Sequence, residues 1–381
     1  MLLNKQIQIT VFQVDNNTFE ALGDISQYTS LLWPDAYNGY AQFELWAPIT
    51  PDNAALLKKK NIIWCGGENA AVIEIVKATV DDKGEKIYDI KGRTLEKYLT
   101  ERMIDETFSG SGHASTLMYS MVNKCAINPS NYRRKIPYLV NAEDKQVGNE
   151  IQQYQKTGGA LYDALYQMAG ESDIGFSVLF DPRNKRLVFE VRKGADRTQD
   201  NKEGNDPVVF STELEDVLSS EYYGNIQDEK NVALVQGEDK GTARKSVLVG
   251  KVDAYGFDRK ELYVDARDLQ SEVFNADGTS TPLTPAQYLE VLTQRGNEKL
   301  SECEIIETFE AQIRQFGDIQ YEFGVDYVKG DKVTVIDEQL GVIVSARITN
   351  VEEQYDEEYN LVLTFGYSYP TLLQKVKFSV L

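Results

Sequence analysis

His113 is the only histidine among 381 residues, and it follows Ser109, Gly110, Ser111 and Gly112. One imidazole could serve a Ser-His-Asp or Cys-His pair, with Ser109, Ser111 and Ser115 as the neighbouring hydroxyls. It cannot supply the two or three imidazoles of the common catalytic zinc sites. The run Phe108-Ser109-Gly110-Ser111-Gly112 approaches a nucleophile elbow but has Phe where G-x-S-x-G requires its first Gly. A flexible Gly/Ser loop is expected instead. Cys65, Cys125 and Cys303 lie far apart with no C-x-x-C spacing, which suits free thiols in a reducing compartment rather than a disulfide frame or a zinc site.

Carboxylates are too numerous to be informative, because among 60 Asp and Glu some pair always resembles a glycosidase couple. Asp326 and Asp331, in the run Gly324–Lys332, stand nearest to aromatic residues. Gly330-Asp331 precedes a strand pattern, so turn geometry is the expected work of that pair. No P-loop or EF-hand spacing occurs, and Gly237–Gly241 carries Glu238, Asp239 and Lys240, the wrong charge to cradle a phosphate. Lys58–Lys60 and Arg133–Lys135 are basic triplets, shorter than a nucleic-acid patch and expected at exposed strand ends or loops. The residues therefore carry no enzyme signature and assign no catalytic, cofactor or metal position.

The elements that would position any site are mostly strands. Alternation marks 7–15 and 41–46. The runs 70–80 and 86–90 flank the Gly-bearing link Asp81–Glu85, a hairpin signal. Thr94 is placed to cap a helix through Leu95, Tyr98, Leu99 and Ile104. Residues 115–126 and 159–169 have helical spacing, and strands 174–180 and 186–191 follow around Asp181-Pro182. The polar stretch 193–206 reads as a linker. Beyond it come strand patterns at 231–236, 245–251 and 262–264, then a helix opened by Thr284-Pro285. Strands at 332–336, 342–351 and 361–365 close the chain, with an acidic hairpin tip at 352–358. The domains expected are 1–105 (β), 106–200 (α/β) and 201–381 (β, with a helical insert at about 284–302). The two β regions share no detectable sequence similarity, but their gross form hints at an internal duplication.

The formal net charge is −20. Residues 201–381 hold 17 basic and 34 acidic side chains, so nearly all of the excess lies there. Such a chain is a poor wrapper of phosphate backbones, which demand neutralising Lys and Arg. No apolar run approaches the roughly 18–20 residues of a membrane span. The N-terminus alternates without a basic start or apolar stretch, so no export signal is read.

Several runs carry a family resemblance when taken in order. They are Tyr88-Asp89-Ile90-Lys91-Gly92-Arg93-Thr94-Leu95 with Leu99 and Arg102, Tyr263–Asp268, Arg295–Leu300, Phe323–Val335, Ala346-Arg347-Ile348-Thr349 and Thr364–Tyr367. Together they resemble the tail-tip or baseplate hub proteins of long-tailed siphophages, the family that includes the N-terminal region of tail-associated lysins. The resemblance implies an α+β, mostly β fold with two tail-tube-like β-barrel domains beside an α/β module and a helical insert. It implies a homotrimeric ring at the virion tail tip, made in the host bacterial cytoplasm. The ring would adapt the sixfold tail tube and distal tail protein to a threefold tip or fibre protein, with the tape-measure protein and the ejected DNA passing through. The acidic excess would then partly line that channel. The chain ends about fifteen residues past Gly366, so the lytic appendage of larger members is expected to be absent or separately encoded, and no catalysis or cofactor is carried over. A cell-wall hydrolase, or a receptor-binding module using some of the 22 tyrosines, are the alternatives.

Overall fold

The computed structural model describes residues 7–366, apart from position 26 and the stretches 81–83, 215, 239–243, 275–279, 304–305, 315–318, 339 and 357–358. Part of the link expected at 81–85 and part of the Gly237–Gly241 run therefore lie outside the described residues. The first β region contains strands Ile9–Val14, Phe19–Ile25, Ser30–Ala36, Gln42–Pro48, Ile62–Trp64, Ala70–Val80 and Lys86–Thr94. Strict alternation fixes their faces: in Gln42–Pro48, Phe43, Leu45 and Ala47 are fully buried while Trp46 is exposed. The helix expected after Thr94 is a single turn, Lys97–Thr100.

The α/β module packs helices Ala114–Val122 and Leu161–Glu171 over the strands Gly175–Asp181, Arg186–Arg192 and Leu139–Asn141. Its core continues into the first β region, where Phe180 stacks on Phe19 at 5.3 Å between ring centres. Two expectations need correcting. Residues 108–113 are a strand, paired with Glu150–Lys156, and Gly110 lets that ribbon lie close over Leu117. Residues 193–206 are no loose linker: Ala195 and Arg197 bond Asp331, and the Gln199 amide donates to Thr334.

The second β region holds Val209–Ser211, Val217–Asn225, Ile306–Ile313, Lys332–Asp337, Val342–Tyr355 and Tyr359–Gly366. The acidic run at 352–358 is not a hairpin tip throughout, since 352–355 continue the strand and tyrosines 355 and 359 pack into the first region's core. Between Asn225 and Ile306 the chain leaves to build a separate lobe. There Val232–Gln236, Ser246–Gly250 and Glu261–Asp265 form a three-stranded sheet under helix Pro285–Ser301, with a core of its own. The helix begins as its sequence dictates, with a Thr284/Gln287 capping box and Pro285 in the first turn.

One 13-stranded sheet runs through both β regions, joined where Val342–Tyr355 pairs antiparallel with Ser30–Ala36. The described strands are not closed into barrels. The sheet path ends at Val217–Asn225 on one side and Phe19–Ile25 on the other.

The two regions repeat one topology. In the first, Ile62–Trp64, Ala70–Val80, Lys86–Thr94, Gln42–Pro48 and Ser30–Ala36 lie side by side in that order. In the second, Lys332–Asp337, Val342–Tyr355, Tyr359–Gly366, Ile306–Ile313 and Val217–Asn225 do the same. Each long hairpin carries a register shift at the same place, between Ile73 and Ile75 opposite Gly92 and Lys91, and between Ile348 and Asn350 opposite Phe365 and Thr364. The duplication is thus written in pairing and bulge position, not in side-chain identity.

Candidate functional site

The residues that draw the three parts of the chain together converge on Tyr37, which follows the joining strand Ser30–Ala36. Its amide donates to the Thr349 carbonyl at 2.9 Å. Its hydroxyl donates to the Arg192 carbonyl and accepts from the Gly194 amide, both at 3.1 Å. The ring is fully buried, and two glycines lie against its Cδ2–Cε2 edge. A Cβ on Gly330 would fall 2.3 Å from the ring, and Gly330 has φ +94°, a region that disfavours other residues. A Cβ on Gly175 would meet the Tyr37 carbonyl at 2.3 Å.

Charged groups complete this joint. Arg347, 3% exposed, forms a forked pair with Asp173 at 2.8 and 2.5 Å and also donates to the Gly330 carbonyl. Its guanidinium lies over the Tyr37 ring, 5.1 Å from the centre. Lys332 reaches the same carboxylate at 2.8 Å. Burial raises the Asp173 carboxyl's pKa, but the hydrogen bonds from Arg347 and Lys332 outweigh it and hold it below the ordinary value. Lys329, 5% exposed, pairs with Asp35, which also accepts from Asn69 at 2.7 Å. Burial pulls the Lys329 ammonium down to about 8 against the opposing pull of Asp35. Asp331 accepts from Val328 and Ala195 amides and from Arg197, at 2.9–3.1 Å. Asp35 and Tyr37 come from the first β region, Asp173 and Arg192 from the α/β module, and Lys329–Lys332 and Arg347 from the second. Asp35, Asp173, Lys329, Asp331, Lys332 and Arg347 are each engaged in an ion pair, and these pairs lock the three parts together.

The residues singled out from sequence do not gather into a catalytic centre. The Ser115 hydroxyl donates to Asp144 at 2.6 Å and accepts from the Val147 amide at 3.0 Å, while Thr116 donates to the same carboxylate. These contacts pin the 144–147 loop to the start of helix Ala114–Val122. The His113 Nδ1 lies 3.4 Å from the Gly148 carbonyl, and no serine–histidine hydrogen bond forms among the described residues. Asp326 accepts from the Glu322 amide at 2.7 Å, the turn role expected of it, and Asp331 holds the joint. Lys60 turns the chain with φ 76°, and Arg134 pairs with Asp105. The cysteines are free thiols, no group of metal-ligating side chains clusters among the described residues, and none of the described helices is long and apolar enough to cross a membrane.

An open groove of about 2070 Å³ separates the lobe from the α/β module and the main sheet. Polar contacts link the lobe to the α/β module beside it: Gln294 to Glu171 at 2.6 Å, Gln167 to Glu302 at 2.5 Å, and Lys156 to Glu298 at 3.7 Å. Asp35, Tyr37 and Asp173 carried no local signal, because their importance arises from partners more than 130 positions away. The runs around Lys329–Asp331 and Arg347 did stand out in sequence, though only as members of a pattern.

Comparison with known proteins adds a family and a fold. The sequence-family model described as Siphovirus ReqiPepy6 Gp37-like protein matches residues 9–367. The tail protein from Neisseria meningitidis MC58 superposes over 95% of this chain and 97% of its own, with a TM-score of 0.54 and 12% identity. Prophage tail protein gp18 from Listeria monocytogenes EGD-e covers 97% of this chain and 98% of its own, at 0.53 and 13%. The 43 kDa tail protein of prophage MuSo2 from Shewanella oneidensis covers 94% and 98%, at 0.54 and 13%. No curated protein matches by sequence.

Proposed function

Because the chain belongs to the Siphovirus ReqiPepy6 Gp37-like protein family, we propose that it is a structural component of a phage tail, the hub in which three copies close into a ring. The internal repeat carries this reading: one chain holds two β regions of the same topology joined edge to edge, so three chains would offer six equivalent units. That is the number needed to sit beneath a sixfold tube while keeping threefold symmetry below. The tail proteins of the same fold support the placement. In this reading 1–105 and 201–381 are tube-like domains, and neighbouring subunits, not the single chain, complete their barrels. Residues 106–200 form the module that buttresses them from one side.

The partners would be the distal tail and tube proteins above, a tip or fibre protein below, and the tape-measure protein and DNA in the bore. Acids of residues 201–381 facing the bore would repel phosphate and leave DNA free to slide. The joint around Tyr37 supplies what a ring segment needs, a fixed angle between its two halves. Electron microscopy of the assembled protein tests the proposal. A threefold ring with a central bore wide enough for duplex DNA is expected; a compact particle without a bore, or one whose bore is lined by basic residues, would overturn the hub or its acidic channel respectively.

A further inference from the structure

Within the chain, the outer edge of the second long strand is shared. Its first half, 342–347, pairs with Lys332–Asp337, and its last part, 350–355, pairs with Ser30–Ala36 of the other repeat. The first long strand has the corresponding first half covered, with 70–72 paired to Ile62–Trp64. Its last part, 75–80, meets no strand on that edge among the described residues. Ile75 and Val80 there are 51% and 61% exposed. At the far end of the sheet, Val217–Asn225 is the topological counterpart of Ser30–Ala36, and its outer edge likewise meets no strand among the described residues. Leu218 is 51% exposed on it. Two edges that meet no strand among the described residues, each the counterpart of a covered one, invite pairing with other chains.

We propose that residues 75–80 of one copy pair antiparallel with Val217–Asn225 of the next, repeating between chains the junction that Val342–Tyr355 makes with Ser30–Ala36 inside each chain. The proposal rests on the ring reading above and names its contact surface and its register. The shared bulge aligns Ile75 with Asn350 and Val80 with Tyr355. The pairings across the Gln42–Pro48 and Ile306–Ile313 strands align Ser30 with Ser219 and Leu32 with Glu221. Since Gln354 lies opposite Leu32 and Asn350 opposite Ala36, Thr79 should lie opposite Glu221, Lys77 opposite Tyr223 and Ile75 opposite Asn225. Lys77 and Glu221 then fall on one face as diagonal neighbours of opposite charge. The contact joins different surfaces, so it propagates from copy to copy and must close by rotation or run on as a filament.

Disulfide trapping in the full chain tests the register. Thr79→Cys/Glu221→Cys should link different chains under mild oxidant, giving a ladder that stops at three copies and collapses in reductant. Lys77→Cys/Tyr223→Cys should do the same, so the test survives poor folding of either variant. Leu32→Cys/Gln354→Cys, the equivalent pair within one chain, should close inside the monomer and shows that oxidation works. Ala78→Cys/Glu221→Cys, one residue out of register, should give no link, and the unsubstituted chain controls for its three thiols. A parent chain that sediments as a trimer while both in-register variants stay unlinked overturns the strand pairing and leaves the ring. A chain that stays monomeric at every concentration without linking overturns both, and a link confined to one molecule overturns the pairing between copies.

Discussion

Lys60 and Gly330 occupy the same turn of two repeats. Each has positive φ, 76° and 94°. The Lys60 amide donates to the Ile73 carbonyl at 2.8 Å and the Gly330 amide to the Ile348 carbonyl at 3.0 Å; the next residues, Asn61 and Asp331, each accept the return bond at 2.8 Å. Only the neighbours differ. Lys60 is exposed, whereas Gly330 lies under the Tyr37 ring.

Exchanging side chains at the two turns should have opposite effects. Lys60→Gly relieves left-handed strain of about 1–2 kcal/mol and loses part of it to backbone entropy, for a net gain of roughly 0.5 kcal/mol. Gly330→Ala adds that strain and a collision with Tyr37, for a loss of at least about 2 kcal/mol. Urea unfolding midpoints should move up for the first variant and down for the second.

Arg347 and Asp173 should be strongly coupled. Arg347→Met leaves the carboxylate to Lys332 and uncovers the Gly330 carbonyl, and Asp173→Ala leaves a buried guanidinium without its forked partner. Each should cost about 3 kcal/mol, and the double variant should lose clearly less than their sum. Additive losses in a double-mutant cycle would show that the two side chains act independently.

Lys329 gives a pH signature. Its folded pKa, about 8, lies below the ordinary 10.5, so between those values the unfolded chain binds more protons. Its contribution to stability therefore rises with pH across that window and is flat below about 8. The stability of the parent relative to Lys329→Met should increase between pH 8 and 10, as read by denaturant unfolding at each pH. A constant difference would show that the ammonium keeps its ordinary pKa.

What the sequence disclosed follows how local the cause is. The helix at Pro285–Ser301 was legible from Thr284, Pro285 and apolar spacing, and its capping box forms as those residues require. The hairpin Ala70–Val80 with Lys86–Thr94 was legible for the same reason. Ser30–Ala36 and Val217–Asn225 were missed. The first contains Pro34 and takes its pairing from a strand more than 300 positions away; the second carries Ser and Gly, and its pattern of exposure follows neither face cleanly. The Gly/Ser ribbon at 108–113 was misread because glycine is a loop signal in isolation, yet in that ribbon it permits close packing. The joint around Tyr37 depends on five separated segments, and no window of sequence contains it.

The lobe should be separable in stability from the sheet that bears it. It has its own core and a hydrogen-bonded seam with the body, so Thr284→Ala should cost the lobe about 1 kcal/mol through loss of its cap. Hydrogen exchange should speed up in 285–301 while the amides of Gln42–Pro48 stay unchanged. Equal acceleration in both would show that lobe and sheet unfold as one.

The place where that lobe enters has a further meaning. In the first repeat the strands Ser30–Ala36 and Gln42–Pro48 are joined by a few residues; in the second, the counterpart connection holds the whole lobe. On the proposed ring, six similar wedges would alternate between those without and those with this lobe. A single insertion, made once in a duplicated chain, would then be enough to break a sixfold pattern into a threefold one.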